Sequence, residues 1–120
     1  MSLLWACASA PGPLASGEWR VTAINGHATP VEGSYRMQFE GGQAGGQFGC
    51  NHFGGEYRVR GEVMTVGAVT MTEMACMGPA GEFESMGMRV LQQPMRMEWR
   101  GSSGLRLSNG AGSIELVQAN

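Results

Sequence analysis

The stretch that decides the fold is Gly46-Gln47-Phe48-Gly49-Cys50-Asn51-His52-Phe53-Gly54-Gly55-Glu56-Tyr57. Its glycines interrupt aromatic and polar residues, a pattern typical of short strands joined by tight turns. We expect Gly49 and Gly55 to take positive φ angles or to let neighbouring strands approach closely. We expect Asn51 to cap a turn through its side-chain oxygen, and Tyr57 to bury its ring and bond its hydroxyl. The interpretation that we prefer for this block is structural, and the alternative is a binding site.

Glycines recur throughout the chain, which has 20 of them among 120 residues. Between the glycines, apolar and polar residues alternate with a period of two, which indicates half-buried strands. A closed barrel suits many short strands because it leaves no unpaired edge. The alternation predicts four inward-facing sets: Trp19, Val21 and Ala23; Tyr35, Met37 and Phe39; Tyr57 and Val59; and Met95, Met97 and Trp99.

One segment departs from this alternation and predicts a helix. It runs from Pro79 to Gln93, and Pro94 follows it. Pro79 suits a first helical turn, whereas Pro94 cannot continue a helix. The sequence therefore predicts a small antiparallel β-barrel of about eight strands with one α-helix. The helix would pack through an apolar stripe formed by Phe83, Met86, Val90 and Leu91.

A second block, Thr72-Glu73-Met74-Ala75-Cys76, makes the pattern more specific. Together the two blocks resemble the META domain, the family of the heat-shock protein HslJ, whose pattern is G-x-x-G-C-N-x-x-x-G-x-Y and then T-x-M-x-C. The resemblance implies a lipocalin-like barrel with a helix, here in residues 17–118. It also implies an exported protein, often an envelope lipoprotein linked to stress responses, with no activity typical of enzymes. The residues that match are Gly46, Gly49, Cys50, Asn51, Gly55, Tyr57, Thr72, Met74 and Cys76.

Residues 1–16 are interpreted as the remnant of a signal peptide followed by a tether. Leu4-Trp5-Ala6-Cys7 resembles a bacterial lipobox, which would make Cys7 the lipidated first residue of an outer-membrane lipoprotein facing the periplasm. Alternatively, Ala8-Ser9-Ala10 is a cleavage site that releases a soluble periplasmic protein. A third interpretation is an ordinary N-terminus with a stray cysteine. We expect no transmembrane helix, because this apolar stretch is far shorter than the ~20 residues that span a bilayer.

The cysteine count fits export. The chain has three cysteines, and if Cys7 carries lipid, an even pair remains for an oxidising compartment. We expect a disulfide between Cys50 and Cys76, which would stabilise the domain by about 3.5 kcal/mol on the chain-entropy estimate. The alternative is two free thiols buried in the core.

Charge and composition exclude several functions. Eight basic residues, all arginine, oppose ten acidic residues, all glutamate, for a net charge of −2. No basic stripe is present to bind a nucleic-acid backbone. Aspartate is absent, and only His27 and His52 could act as histidine acids or bases. Cys50 and His52 would share a strand face with Glu56 nearby, as a thiol–imidazole pair requires, but a disulfide would consume the thiol. We predict that the protein is not an enzyme and has no cofactor.

Ten methionines raise a copper-binding alternative. Met71, Met74, Cys76 and Met77 offer soft sulfur ligands that suit Cu(I). The interpretation that we prefer is that methionine fills an irregular core. The period-two spacing of Met37, Met95 and Met97 favours that interpretation.

The function that these patterns predict is a monomeric, non-enzymatic envelope domain related to stress. The alternative is a barrel that binds an apolar ligand or another protein, such as an envelope inhibitor.

Overall fold

The structure is a computed structural model that describes residue 14 and residues 16–119. The predicted lipidation residue, Cys7, and most of the predicted signal segment lie outside the described residues. Within the described part of the chain, strands and one helix follow in this order: β1 (Ser16–Ile24), β2 (His27–Ala28), β3 (Tyr35–Glu40), β4 (Gln43–Phe48), β5 (His52–Arg60), β6 (Val63–Met71), α1 (Gly78–Leu91), β7 (Met95–Arg100), β8 (Gly104–Asn109) and β9 (Gly112–Gln118).

The strands form one antiparallel sheet that closes on itself. Each strand from β3 to β8 pairs with the next one in the sequence, and β1 pairs with both β3 and β9. The short strand β2 pairs with the end of β1, where Ala23 lies opposite Ala28. Eight strands thus form a closed barrel with one helix, and the predicted fold class is confirmed.

The barrel is joined most weakly between β6 and β7. These strands pair only at Val63 with Arg96 and at Met64 with Met95. The chain passes through α1 between them, and α1 packs against β1, β4 and β9. The helix therefore packs against three strands, none of which directly precedes or follows it in the sequence.

Large side chains fill the interior of the barrel. The predicted inward faces of β3 and of the first part of β7 are confirmed, including Met37, Met95 and Met97. Methionine therefore packs as a core residue at these positions. The largest side chains that are less than 2% exposed are Trp19, Ile24, Met37, Phe39, Phe48, Met64, Leu91, Met95, Leu105, Leu107, Ile114 and Leu116.

Three positions that were predicted to face the core of the barrel are not buried in the structure. The β1–β9 register shifts between Val21 and Ala23, and this irregularity places Ile24 rather than Ala23 in the core. Val59 is 42% exposed and Trp99 is 47% exposed. Each lies next to the last residue of its strand, just before a turn.

The helix is shorter than the predicted Pro79–Gln93. It begins at Gly78 and ends at Leu91, and the N–H of Gln92 donates to the carbonyl of Met88 at 3.1 Å. Pro94 disfavours a helical conformation in the residue before it, which explains the early end. At 14 residues, α1 is well below the ~20 that a bilayer requires. No helix in the described part of the chain is long and apolar enough to cross a membrane.

The buried face of the helix is rotated from the predicted stripe. Phe83 and Met86 are only half-buried, although both touch the core. The sequence also places Gly87 on this stripe, where it would allow close approach to the sheet, and Gly87 is buried as predicted. The stripe does not include the buried carboxylate of Glu84. The buried residues of the helix are Glu84, Gly87, Met88, Val90 and Leu91.

Candidate functional site

The two sequence blocks that carry the family pattern meet beside the start of the helix. Cys50 and Cys76 form a disulfide with their Cα atoms 5.9 Å apart, inside the range that a bridge allows. The predicted disulfide is confirmed, and the alternative of two free thiols is wrong. The bridge ties the turn between β4 and β5 to the segment that leads into α1.

Asn51 is the centre of the contacts between the blocks. Its Oδ1 accepts hydrogen bonds from the N–H of Met74 at 2.7 Å and the hydroxyl of Thr72 at 2.9 Å. Its Nδ2 donates to the carbonyl of Met74 at 3.1 Å and to Oε2 of Glu84 at 2.9 Å. The side-chain oxygen of Asn51 is an acceptor, as predicted, but its partners are 21 to 23 residues away, so it joins distant segments rather than capping a local turn.

Glu84 reaches this centre from the helix. Its Oε1 accepts the backbone N–H of Asn51 at 2.7 Å, and both residues are buried. Hydrogen bonds to a carboxylate are stronger than those between neutral groups. Neither of the ion pairs found among the described residues involves Glu84. We call Asn51, Thr72, Met74 and Glu84 together the Asn51 joint.

Thr72 links the joint to the start of β5. The backbone N–H of His52 donates to Oγ1 of Thr72 at 3.0 Å, and the N–H of Thr72 donates to the carbonyl of His52 at 3.0 Å. The side chain of His52 is exposed. The threonine and methionine of the second block thus have structural partners in the first block.

The glycines of the first block allow close approach of the backbone, as predicted. Gly49 has a φ of +118°, and a Cβ there would lie 2.9 Å from the carbonyl oxygen of Ala80. A Cβ at Gly55 would lie 2.6 Å from the carbonyl oxygen of Gly67, and one at Gly46 would collide with the backbone of Arg36. A side chain at any of the three would push two segments apart.

Tyr57 has the predicted environment. Its ring meets Phe39 edge-on with 5.1 Å between centroids, and its hydroxyl donates to the carbonyl of Leu14 at 3.1 Å. Burial raises the pKa of Tyr57 above 10.0, because the anion would lose solvation. This contact fastens residue 14 to the barrel.

The motif residues do not form a nucleophile–base pair. The sulfur of Cys50 is bonded to Cys76, and the side chains of His52 and Glu56 are exposed. The two sulfurs and a carboxylate oxygen of Glu84 lie within 4.8 Å of one another. Disulfide sulfurs are not thiolates, which are the form that binds metals, and both Glu84 oxygens already accept hydrogen bonds. The chemistry of this site is therefore hydrogen bonding and cross-linking.

The four residues of the copper alternative do not offer a thiolate. Cys76 is in the disulfide, whereas Met71, Met74 and Met77 are exposed by 39%, 58% and 84%. Copper binding here would depend on thioethers alone.

A surface groove of about 740 Å³ lies beside the helix. It combines apolar side chains that are half-buried with charged groups from α1 and a histidine from β2. Sequence reasoning missed it because β2 is distant from α1 along the chain. Its lining includes His27, Cys76, Glu82, Phe83, Met86 and Arg89.

Comparisons with known proteins agree with this geometry. The family model of the META domain matches residues 12–120. A protein solved by NMR has a TM-score of 0.75 to this chain at 19% identity, over 87% of this chain and 90% of that one. Another, from Burkholderia xenovorans, has a TM-score of 0.70 at 22% identity, over 100% and 99%. These two share the fold, and no curated protein matches the sequence. Since the family model covers nearly the whole chain, the protein belongs to the META domain family.

Proposed function

We propose that the protein is a non-enzymatic domain of the bacterial envelope that serves in the response to stress. The observation that carries this proposal is the disulfide between Cys50 and Cys76, which joins both blocks of the family pattern. Disulfides persist in oxidising compartments such as the periplasm and are rare in the cytosol. The bridge therefore supports export.

The non-enzymatic part of the proposal is supported by how the motif residues use their polar groups. Asn51, Thr72 and Glu84 bond to one another and to the main chain. Catalysis needs groups that are free to reach a substrate. These three groups instead hold β5, the segment after β6 and the helix together.

The location proposed for the protein is the periplasmic face of the outer membrane, with Cys7 carrying the lipid. This rests on the resemblance of Leu4-Trp5-Ala6-Cys7 to a lipobox. The second location is a soluble periplasmic form released after Ala8-Ser9-Ala10. In either location we propose a monomer.

Fractionation and thiol counting test the location together. We expect the protein, expressed from its own gene in its own bacterium, to sediment with the outer membrane, and the Cys7→Ala variant to lose that association. Under denaturing conditions without reductant, no thiol should react at Cys50 or Cys76. A wild-type protein that remains in the cytosol, or reactive thiols at both positions in exported protein, would contradict the proposal.

Expression under stress tests the rest of the proposal. We expect the amount of the protein to rise after heat or oxidant treatment, measured by immunoblot against an unstressed culture. An unchanged amount under both treatments would contradict a role in stress while leaving the location unaffected.

The alternative of a barrel that binds an apolar ligand has less support. The interior positions of the barrel are taken by large buried side chains such as Trp19, Phe39 and Phe48. A ligand inside would have to displace closely packed atoms. Binding of another protein, as by an envelope inhibitor, would have to use the outer surface.

A further inference from the structure

The methionines of the described residues form an exposed group and a buried group, and the half-buried Met86 of α1 lies between the two. Met71, Met74 and Met77 are exposed by 39% to 84%, and all three lie between the end of β6 and the start of α1. Another group is at most 7% exposed and belongs to the core. Its members are Met37, Met64, Met88, Met95 and Met97.

The exposed segment is held in place without its thioethers. Met71 pairs with Phe53 through the main chain of β5 and β6. The N–H and the carbonyl of Met74 both bond to Asn51, and Cys76 is fixed by the disulfide. The side chains of the three methionines could therefore change chemically while the contacts that position the segment remain.

We propose that Met71, Met74 and Met77 form a surface oxidation site that takes oxygen from hydrogen peroxide while the fold persists. A lone pair of the thioether sulfur attacks one peroxide oxygen, the O–O bond breaks, and a sulfur–oxygen bond forms. The sulfur loses two electrons, the peroxide is reduced, and the departing hydroxide takes up the remaining proton to leave as water. The product at each position is methionine sulfoxide, which methionine sulfoxide reductases convert back to methionine.

The exposure of each methionine side chain determines whether it can be oxidised in the folded protein and how early it reacts. A sulfoxide is polar, so it is tolerated in water but disrupts a core. The buried methionines can react only when the fold opens, and opening of core strands is rare. We expect Met77 and Met74 to react first, then Met71, and the buried group at least about tenfold more slowly because it depends on such opening.

Timed oxidation with peptide mapping tests the proposal. The folded, disulfide-bonded protein is treated with hydrogen peroxide, and oxygen addition at each methionine is followed by mass spectrometry. The triple variant Met71→Leu, Met74→Leu, Met77→Leu should lose most of the rapid uptake from residues 16–119, with the half-buried Met86 mapped separately and expected to react at an intermediate rate. The matched control, Met88→Leu, should retain it, because Met88 is buried. Both replacements nearly conserve volume and cost little stability at each position.

The thermal unfolding of the oxidised protein completes the test. Rapid oxidation confined to the three methionines, an unfolding midpoint close to that of untreated protein, and recovery after reductase treatment would support the proposal. Similar rates for the buried and exposed groups would overturn it. A large fall in the midpoint on oxidation of the three alone would also overturn it, because their thioethers would then be structural.

Discussion

At the scale of single residues, Asn51 explains why the family pattern places an asparagine after the cysteine. Only a primary amide offers two N–H donors and a carbonyl acceptor at the end of one short side chain. Here the donors reach Glu84 and the carbonyl of Met74, and the acceptor receives Thr72 and the N–H of Met74. Alanine offers none of these groups, and aspartate offers acceptors only. The residue type is therefore set by partners far away in the sequence.

Replacement of Asn51 by alanine should lower the free energy of unfolding by about 3–5 kcal/mol, because Glu84 would lose a partner and remain buried. Asn51→Asp should be at least as harmful near neutral pH, since a second carboxylate would face Glu84 where Nδ2 now donates at 2.9 Å. Urea titration followed by tryptophan fluorescence measures both.

His52→Ala is the matched control for these variants. The neighbouring His52 is exposed, so its replacement should change stability by no more than about 0.5 kcal/mol. An equal loss in Asn51→Ala and His52→Ala would contradict a special role for the Asn51 joint.

At the scale of elements, the position of the helix depends on contacts at two places. Near its start, the disulfide and the Asn51 joint fix it to β5 and to the segment after β6. Further along, Gly87 faces Phe48 of β4 so closely that a Cβ would collide with the ring. A glycine in mid-helix is unfavourable by itself, so this close approach is the reason for its presence.

Replacement of Gly87 by alanine should therefore be destabilising despite the better helix propensity of alanine. Overpacking costs about 1–3 kcal/mol, whereas propensity returns at most about 1 kcal/mol. The control is Gly110→Ala, where a Cβ has no heavy atom within 4 Å and φ is not positive. We expect its unfolding midpoint in urea to be unchanged or slightly raised. A Gly87→Ala variant more stable than the wild type would show that helix and barrel are not in such close contact.

At the scale of the whole molecule, sequence periodicity predicts the barrel because alternation reflects which face of a strand meets the core. It predicts Met37 and Phe39 correctly and fails at Val59 and Trp99, which lie near the ends of their strands and are about half exposed. The disulfide follows from counting cysteines and from the expected compartment. Burial of Glu84 could not be predicted, since both donors found for its carboxylate among the described residues come from Asn51, which precedes β5 and β6 in the sequence. Local sequence patterns predict the strands and the helix. Polar contacts between these elements form only when the chain folds, so local patterns do not predict them.

At the scale of the whole molecule, we expect the two tyrosines to control the stability of the protein at alkaline pH. The chain has no lysine, and Cys50 and Cys76 are bonded to each other. Its two tyrosines join different parts: Tyr35 packs against Phe83 of the helix, and Tyr57 bonds to Leu14. Burial raises the pKa of both above 10.0.

Because the folded state holds these two protons more tightly than the unfolded state, the unfolding free energy should not depend on tyrosine ionisation below about pH 9. It should fall as the pH rises through the unfolded value of 10.0 and on through the raised folded values. In a Cys7→Ala background, which removes the third cysteine, Tyr35→Phe and Tyr57→Phe should each make this fall shallower. Tyr57→Phe should also cost about 1 kcal/mol at neutral pH, because its hydroxyl bonds to Leu14. Urea titrations across the alkaline range measure both effects, and an equally steep fall in the double phenylalanine variant would show that other groups control the alkaline transition.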